Sequence, residues 1–247
     1  MAIALDYSAA PVPVREDLRD SQRRVWKHLA SPGSWFTGAE RLAVAAESRN
    51  AAVCRLCRDR KDAISPNAVQ GEHDSATDLP KTLVDVIHRV RNDSGRLSKS
   101  WFDATLASGL DEGRYVEAVG IVALLAGADF FCRALGISPH PLPEALPGEP
   151  SGHRPEGLSD GGAWVPMLAP GDAAGPEANL YGGERFVPNI VRALSTVPSH
   201  VSALLGGMAS MYIPQGGLLD TSVRRDLDRL QIELVASRVS ALNECFY

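Results

Sequence analysis

Apolar residues recur at intervals of three and four over most of the chain, the period of helices that bury one face. Val14, Leu18, Val25 and Leu29 mark the first such stretch, Pro13 to Ala30, which Ser31-Pro32-Gly33 stops. Residues 1–12 before it read as a loose arm, and Trp35-Phe36 after it as an anchor of the turn in the core. Thr37-Gly38-Ala39-Glu40 has the form of a capping box, with Thr37 as N-cap and Glu40 reaching back. Leu42, Val44, Ala45, Val53, Leu56 and Cys57 then predict a long helix, ended by Ser65-Pro66-Asn67. A polar loop from Asn67 to Thr77 carries His73. Beyond it Asp78 is placed to cap a helix with Pro80 in its first turn and an apolar stripe of Leu83, Val84, Ile87 and Val90. On that helix His88 reads as a surface or packing residue.

Leu97 to Ser108 predicts a short helix with Trp101 and Phe102. Asp111 caps the next, Glu112 to Leu135, which Gly136 stops. That helix is apolar almost all round and is expected at the centre, with Glu117 and Asp129 paired to an arginine such as Arg133 or Arg238. From Ser138 to Leu180 the pattern is lost: nine of the 17 prolines fall there, and only Ala163 to Leu168 is apolar enough to dock. Pro188 to Ser195 and Pro198 to Tyr212 predict a helix pair, and Pro214-Gln215-Gly216-Gly217 a turn. Asp228 with Gln231 forms a second capping box, opening a helix whose expected core face is Ile232, Val235, Val239, Leu242 and Phe246. No strand pattern of useful length occurs. The prediction is an all-α fold: a first helical repeat over 13–136, a Pro/Gly-rich connector over 137–186 and a second, incomplete repeat over 187–247.

Composition narrows the function classes. A chain of 247 residues with 45% apolar and 22% charged residues can bury a core of one large or two small domains. A net charge of −5 gives no general attraction to nucleic acid or anionic membrane, so neither is expected as a partner. No apolar run is read as a membrane span, Val119 to Phe131 being interrupted by Gly127 and Asp129, and the N-terminus lacks the form of a secretory signal. Four cysteines in a chain this long do not make a disulfide framework, so a cytoplasmic protein is expected.

Cys54-Arg55-Leu56-Cys57 places two thiols a helical turn apart, close enough to join at a helix start. Three readings stay open. As a redox dithiol, one thiolate attacks and the other resolves, with Arg55, Arg58, Arg60 and Lys61 favouring the thiolate. As a zinc knuckle the pair needs two more ligands, for which His73 and Cys132 are the candidates, and the lack of a second CxxC or an HxxxH disfavours it. As structural residues, both are small buried side chains. The helix at Glu40 and that at Glu233 also echo one another: each opens on a capping box, places Asn ten residues after its Glu (Asn50, Asn243) and reaches a cysteine shortly after.

The stretch Gln231 to Tyr247 resembles the alkylhydroperoxidase-D / carboxymuconolactone-decarboxylase family. Its redox members carry Glu, eleven residues, Cys, two residues, Cys, three residues, His; Glu233 and Cys245 match that spacing, and the second Cys and the His would fall past Tyr247. The break in the motif, on an amphipathic helix without a C-cap, is read as a truncation, in preference to a recoded stop codon taken as termination or to a natural remnant. Cys54, Cys57 and Lys61 occupy the Cys-x-x-Cys-x-x-x-His frame of the first repeat, with Lys61 where the family has His. The resemblance implies an all-helical bundle that oligomerises with copies of itself, and reduction of peroxide without a cofactor or metal. It makes Cys57 the attacking thiol and Cys54 the resolving one, assisted by Glu40 or Lys61, with Glu233 and Cys245 in a second site. A redox partner protein or a small thiol would be the reductant. The competing expectation is a degenerate helical scaffold or partner-binding protein with inert cysteines.

Overall fold

The computed structural model describes residues 4–213, 217, 220–243 and 245, with only the backbone of Met208. The expected turn at 214–217 falls largely outside them, as does Phe246. The described helices are α1 (Glu16–Ala30), α2 (Gly38–Asn50), α3 (Arg55–Asp62), α4 (Lys81–Asp93), α5 (Lys99–Ala107), α6 (Glu112–Ala134), α7 (Asn189–Arg192), α8 (Pro198–Met211) and α9 (Arg229–Leu242). Two-residue strands β1 (Leu158–Ser159) and β2 (Met167–Leu168) pair antiparallel with Leu158 opposite Leu168. The all-α prediction holds as a class.

α6 is the axis, packed by α1, α2, α4 and α8. By length and composition it could cross a membrane, contrary to the expectation that no segment could, and 67% of that window is buried among the other helices. Asp111 caps it, accepting from the Gly113 and Arg114 amides, and Gly136 leaves it at φ +68, a conformation glycine adopts without strain. Leu29, Ile87, Ile121 and Leu125 meet in the main core, each worth about 1.5–3 kcal/mol in burial. The carboxylates of α6 pair with arginines of α2 rather than Arg133 or Arg238. Arg41 Nη1 lies 2.6 Å from Glu117 Oε1, both side chains fully buried, and Arg49 grips Asp129 at 2.7 and 3.0 Å. Gly120 lets the His200 ring of α8 against α6, where a Cβ would come within 2.5 Å of it. His200 Nδ1 lies 2.9 Å from His28 Nε2, and His200 Nε2 bonds the Glu117 carbonyl at 3.0 Å.

Four further expectations fail. The described part of the N-terminal arm is docked through Leu5 and Tyr7, both buried, with the Tyr7 ring edge-on to Phe131 and His140. Its apolar side chains outweigh its lack of periodicity. The long helix from 38 breaks at Ala51–Val53, because Asn92 takes the Ala51 carbonyl at 2.8 Å and Asp74 accepts from the Arg55 amide at 2.8 Å, starting α3 afresh. Pro80, extended, is the N-cap of α4 with no side-chain cap bond, so Asp78 does not cap it. α9 keeps its capping box but buries no residue: Leu234, Val235, Val239 and Leu242 are exposed. The connector, by contrast, docks where expected, with Val165, Met167 and Leu168 buried.

Candidate functional site

The break between α2 and α3 makes Cys54 the N-cap of α3 and puts Cys57 in its first turn. Both sulfurs therefore sit at the positive end of a helix. Amides of Cys57 and Asp74 and the His73 side chain bond to the Cys54 sulfur. His73 comes from the loop between α3 and α4. That loop is held by Glu47 of α2, whose carboxylate accepts from Ser75 Oγ at 3.0 Å, the Ala76 amide at 3.1 Å and Thr77 Oγ1 at 2.6 Å. His88 comes from the buried stripe of α4 and is fully buried.

The four side chains converge. His73 Nδ1 lies 3.5 Å from Cys54 Sγ and 3.6 Å from Cys57 Sγ, and His88 Nδ1 lies 3.3 Å from Cys57 Sγ. One ligand atom from each of the four falls within 4.8 Å of every other. Behind each imidazole stands a carboxylate: His88 Nε2 meets Glu47 Oε1 at 2.7 Å and His73 Nε2 meets Asp85 Oδ1 at 2.9 Å. Asp85 is fixed in turn by Arg60 at 2.8 Å, Arg89 at 3.0 Å and Trp101 Nε1 at 2.9 Å; Arg60 Nη1 also lies 3.1 Å from His73 Nε2. Each ring thus turns Nδ1 to the sulfurs and Nε2 to a carboxylate; with its proton on Nε2, His88 faces Cys57 with an Nδ1 lone pair.

Electrostatics separate the two thiols. Burial raises Cys54, but the amides of Cys57 and Asp74 and His73 outweigh it and hold it below its ordinary value. Burial pushes Cys57 up to about 12, against a hydrogen bond from Asn92. The pair thus holds one proton on Cys57 more readily than on Cys54. Burial lowers His88, opposed by Glu47. Asp85 is buried, which raises it, yet bonds from His73 and Trp101 and the charge of Arg89 hold it far below the carboxylate range.

Of the residues expected at the site, Cys54 and Cys57 are there, and so is His73, which the sequence offered as a third ligand. The others stand elsewhere. Glu40 is spent on its own capping box, accepting from Thr37 N at 2.8 Å. Lys61 is an exposed residue of α3 outside the cluster. Cys132 is buried on α6 against His140. Glu233 accepts from Tyr212 Oη at 2.8 Å and pairs with Arg229 at 2.7 Å, and Cys245 is exposed. His88, Glu47 and Asp85 escaped the sequence reading. The available signal was a polar residue on an apolar face: His88 stands four after Val84, and Glu47 three after Val44. Searches against protein-family models, curated proteins and solved structures find no match to this chain.

Proposed function

We propose that this protein is a thiol–disulfide oxidoreductase that reduces hydroperoxides through Cys54 and Cys57, within a helical bundle of the alkylhydroperoxidase-D type. The observation that carries the reading is the relay Cys57–His88–Glu47, 3.3 and 2.7 Å, beside a second cysteine at the start of α3. A buried thiol needs a base to lose its proton, and an imidazole backed by a carboxylate is such a base. Glu47 and His88 would take the parts that the family resemblance gave to Glu40 and the residue at 61.

Cys54, whose sulfur accepts backbone N–H bonds, is the more acidic thiol of the pair. Once deprotonated it attacks the terminal oxygen of the hydroperoxide; the O–O bond breaks and the alcohol leaves with a proton from solvent. Cys57 gives its proton to His88 and attacks the Cys54 sulfenic acid, and hydroxide leaves as water once protonated. The products are one disulfide, one alcohol and one water, and a dithiol or two small thiols restore the pair. This order reverses the roles implied by the resemblance.

The test is hydroperoxide consumption by the reduced chain with dithiothreitol. Cys54→Ser and Cys57→Ser are expected to lose at least about 100-fold and His88→Gln a similar factor, the usual scale of a positioned acid–base group. Glu40→Gln, Lys61→Met, Glu233→Gln and Cys245→Ser should retain the rate. Wild-type consumption no faster than that of Cys54→Ser would end the reading and favour a helical scaffold with inert thiols.

A further inference from the structure

The same four side chains meet a second chemical criterion, independent of any reaction with peroxide. In a tetrahedral zinc centre with Zn–S of about 2.3 Å and Zn–N of about 2.0–2.1 Å, adjacent ligand atoms stand about 3.5–3.6 Å apart for S···N and about 3.8 Å for S···S. Three of the four S···N separations here are 3.3, 3.5 and 3.6 Å, and one ligand atom from each of the four residues lies within 4.8 Å of every other. Those three S···N edges thus have the length a tetrahedral zinc centre requires.

We infer that Cys54 Sγ, Cys57 Sγ, His73 Nδ1 and His88 Nδ1 bind one zinc ion. Three features beyond the spacing support this. Both histidines present the same nitrogen inward and pledge the other to a carboxylate, Glu47 or Asp85, the outer arrangement that orients metal-bound imidazoles. Two thiolates and two imidazoles are a soft donor set with no oxygen ligand, which selects zinc over magnesium or calcium. Two thiolates also neutralise a divalent ion inside a region where Cys54 and His88 are fully buried. A set of four protein ligands leaves no position for substrate, so the ion would be a staple. It would tie the start of α3, the 63–80 loop and α4 together, where the loop itself has only a short turn of 3-10 helix, Pro66–Ala68. Oxidation of the pair would release it: two zinc-bound thiolates, one hydroperoxide and two protons give a disulfide, an alcohol, water and free Zn²⁺. That link rests on the proposed function; zinc binding does not.

The experiment is elemental analysis of the full chain, expressed with zinc and passed reduced through gel filtration, followed by Co²⁺ exchange. About one zinc per chain is expected, with Co²⁺ giving intense visible bands and a thiolate-to-cobalt charge-transfer band. His73→Ala, a loop substitution, and Cys57→Ser should lose the zinc, while Cys132→Ser and Cys245→Ser keep it. Should the first two fail to fold, the wild-type chain decides: mercurial modification of two thiols should release one zinc to an indicator. No zinc in the wild-type chain together with no tetrahedral Co²⁺ spectrum would overturn the inference, as would full zinc in both His73→Ala and Cys57→Ser. Stoichiometric zinc with no peroxide consumption would leave the metal site standing and remove the redox reading. The opposite result would do the reverse.

Discussion

Two stretches of this chain look alike and sit in different surroundings. α2 and α9 each open on a capping box, run to an asparagine, Asn50 or Asn243, and lead to a cysteine. α2 buries Val44, Ala45, Arg41 and Glu47 against the rest of the bundle, and its cysteine pair meets two histidines brought from 16 to 34 residues away, His73 to His88. α9 buries nothing, its glutamate is taken by Tyr212 and Arg229, and Cys245 stands exposed. A motif supplies reactive atoms; burial and partners from other elements turn them into a centre. By that measure the first stretch contributes to a buried cluster and the second, in the described residues, does not.

The largest difference expected between them is in thiol reactivity. Iodoacetamide at neutral pH should alkylate Cys245 at the rate of an open thiol, and Cys54 and Cys57, buried and held by the inferred zinc ion, at least about 100-fold more slowly until a chelator removes the metal. Peptide mapping over time reads this, and equal rates at all three would dissolve the contrast. Next comes the cost of removing each glutamate. Glu47→Ala strips a fully buried imidazole and three loop donors of their acceptor and should cost about 3–5 kcal/mol in urea unfolding. Glu233→Ala removes a half-exposed pair and should cost about 1 kcal/mol or less.

Acidity offers a third probe, of the core that α2 shares with α1 and α8. Burial, followed by the Arg41 charge, lowers His28 to about 3, and burial lowers His200 well below its ordinary value. Unfolded, both would take a proton near 6.5. The unfolded chain therefore binds more protons over this window, and stability should fall as pH drops from about 6.5 towards 3, by a few kcal/mol in order of magnitude. Asp85, held low, adds a loss that begins near its ordinary value of 3.8 and continues below it. His28→Gln should flatten the upper part of the curve. A wild-type curve flat between pH 6.5 and 4 would show that these imidazoles are solvated. The smallest effect belongs to the exposed helix: Leu234→Asp on α9 should move stability by no more than about 0.5 kcal/mol. Val44→Asp in the core should instead unfold much of the population at room temperature.

Much of the fold was legible because its signals are local. The boxes at Thr37 and Asp228, the Asp111 cap and the all-round apolarity of α6 each follow from a few neighbouring residues. Failures arose where a distant partner decides. Nothing near Ala51 shows that Asn92 will take its carbonyl and break the helix, and the stripe on α9 defines an apolar face without defining what lies over it. The site divides the same way. The Cys54–Cys57 spacing was visible, and His73 could be named as a third group. The fourth group, His88, and the carboxylates Glu47 and Asp85 join only when α2, α4 and the loop are folded together. The residue at 61, in the right frame by count, lies on the exposed side of α3 because its partners are set by helix rotation and not by spacing.

The most direct measurement of where the chemistry lies is thiol mapping by mass spectrometry after the reduced, chelator-treated chain meets one equivalent of hydroperoxide. A Cys54–Cys57 disulfide is expected, with Cys132 and Cys245 left as thiols. Cys245 oxidised while Cys54 and Cys57 remain reduced would contradict it.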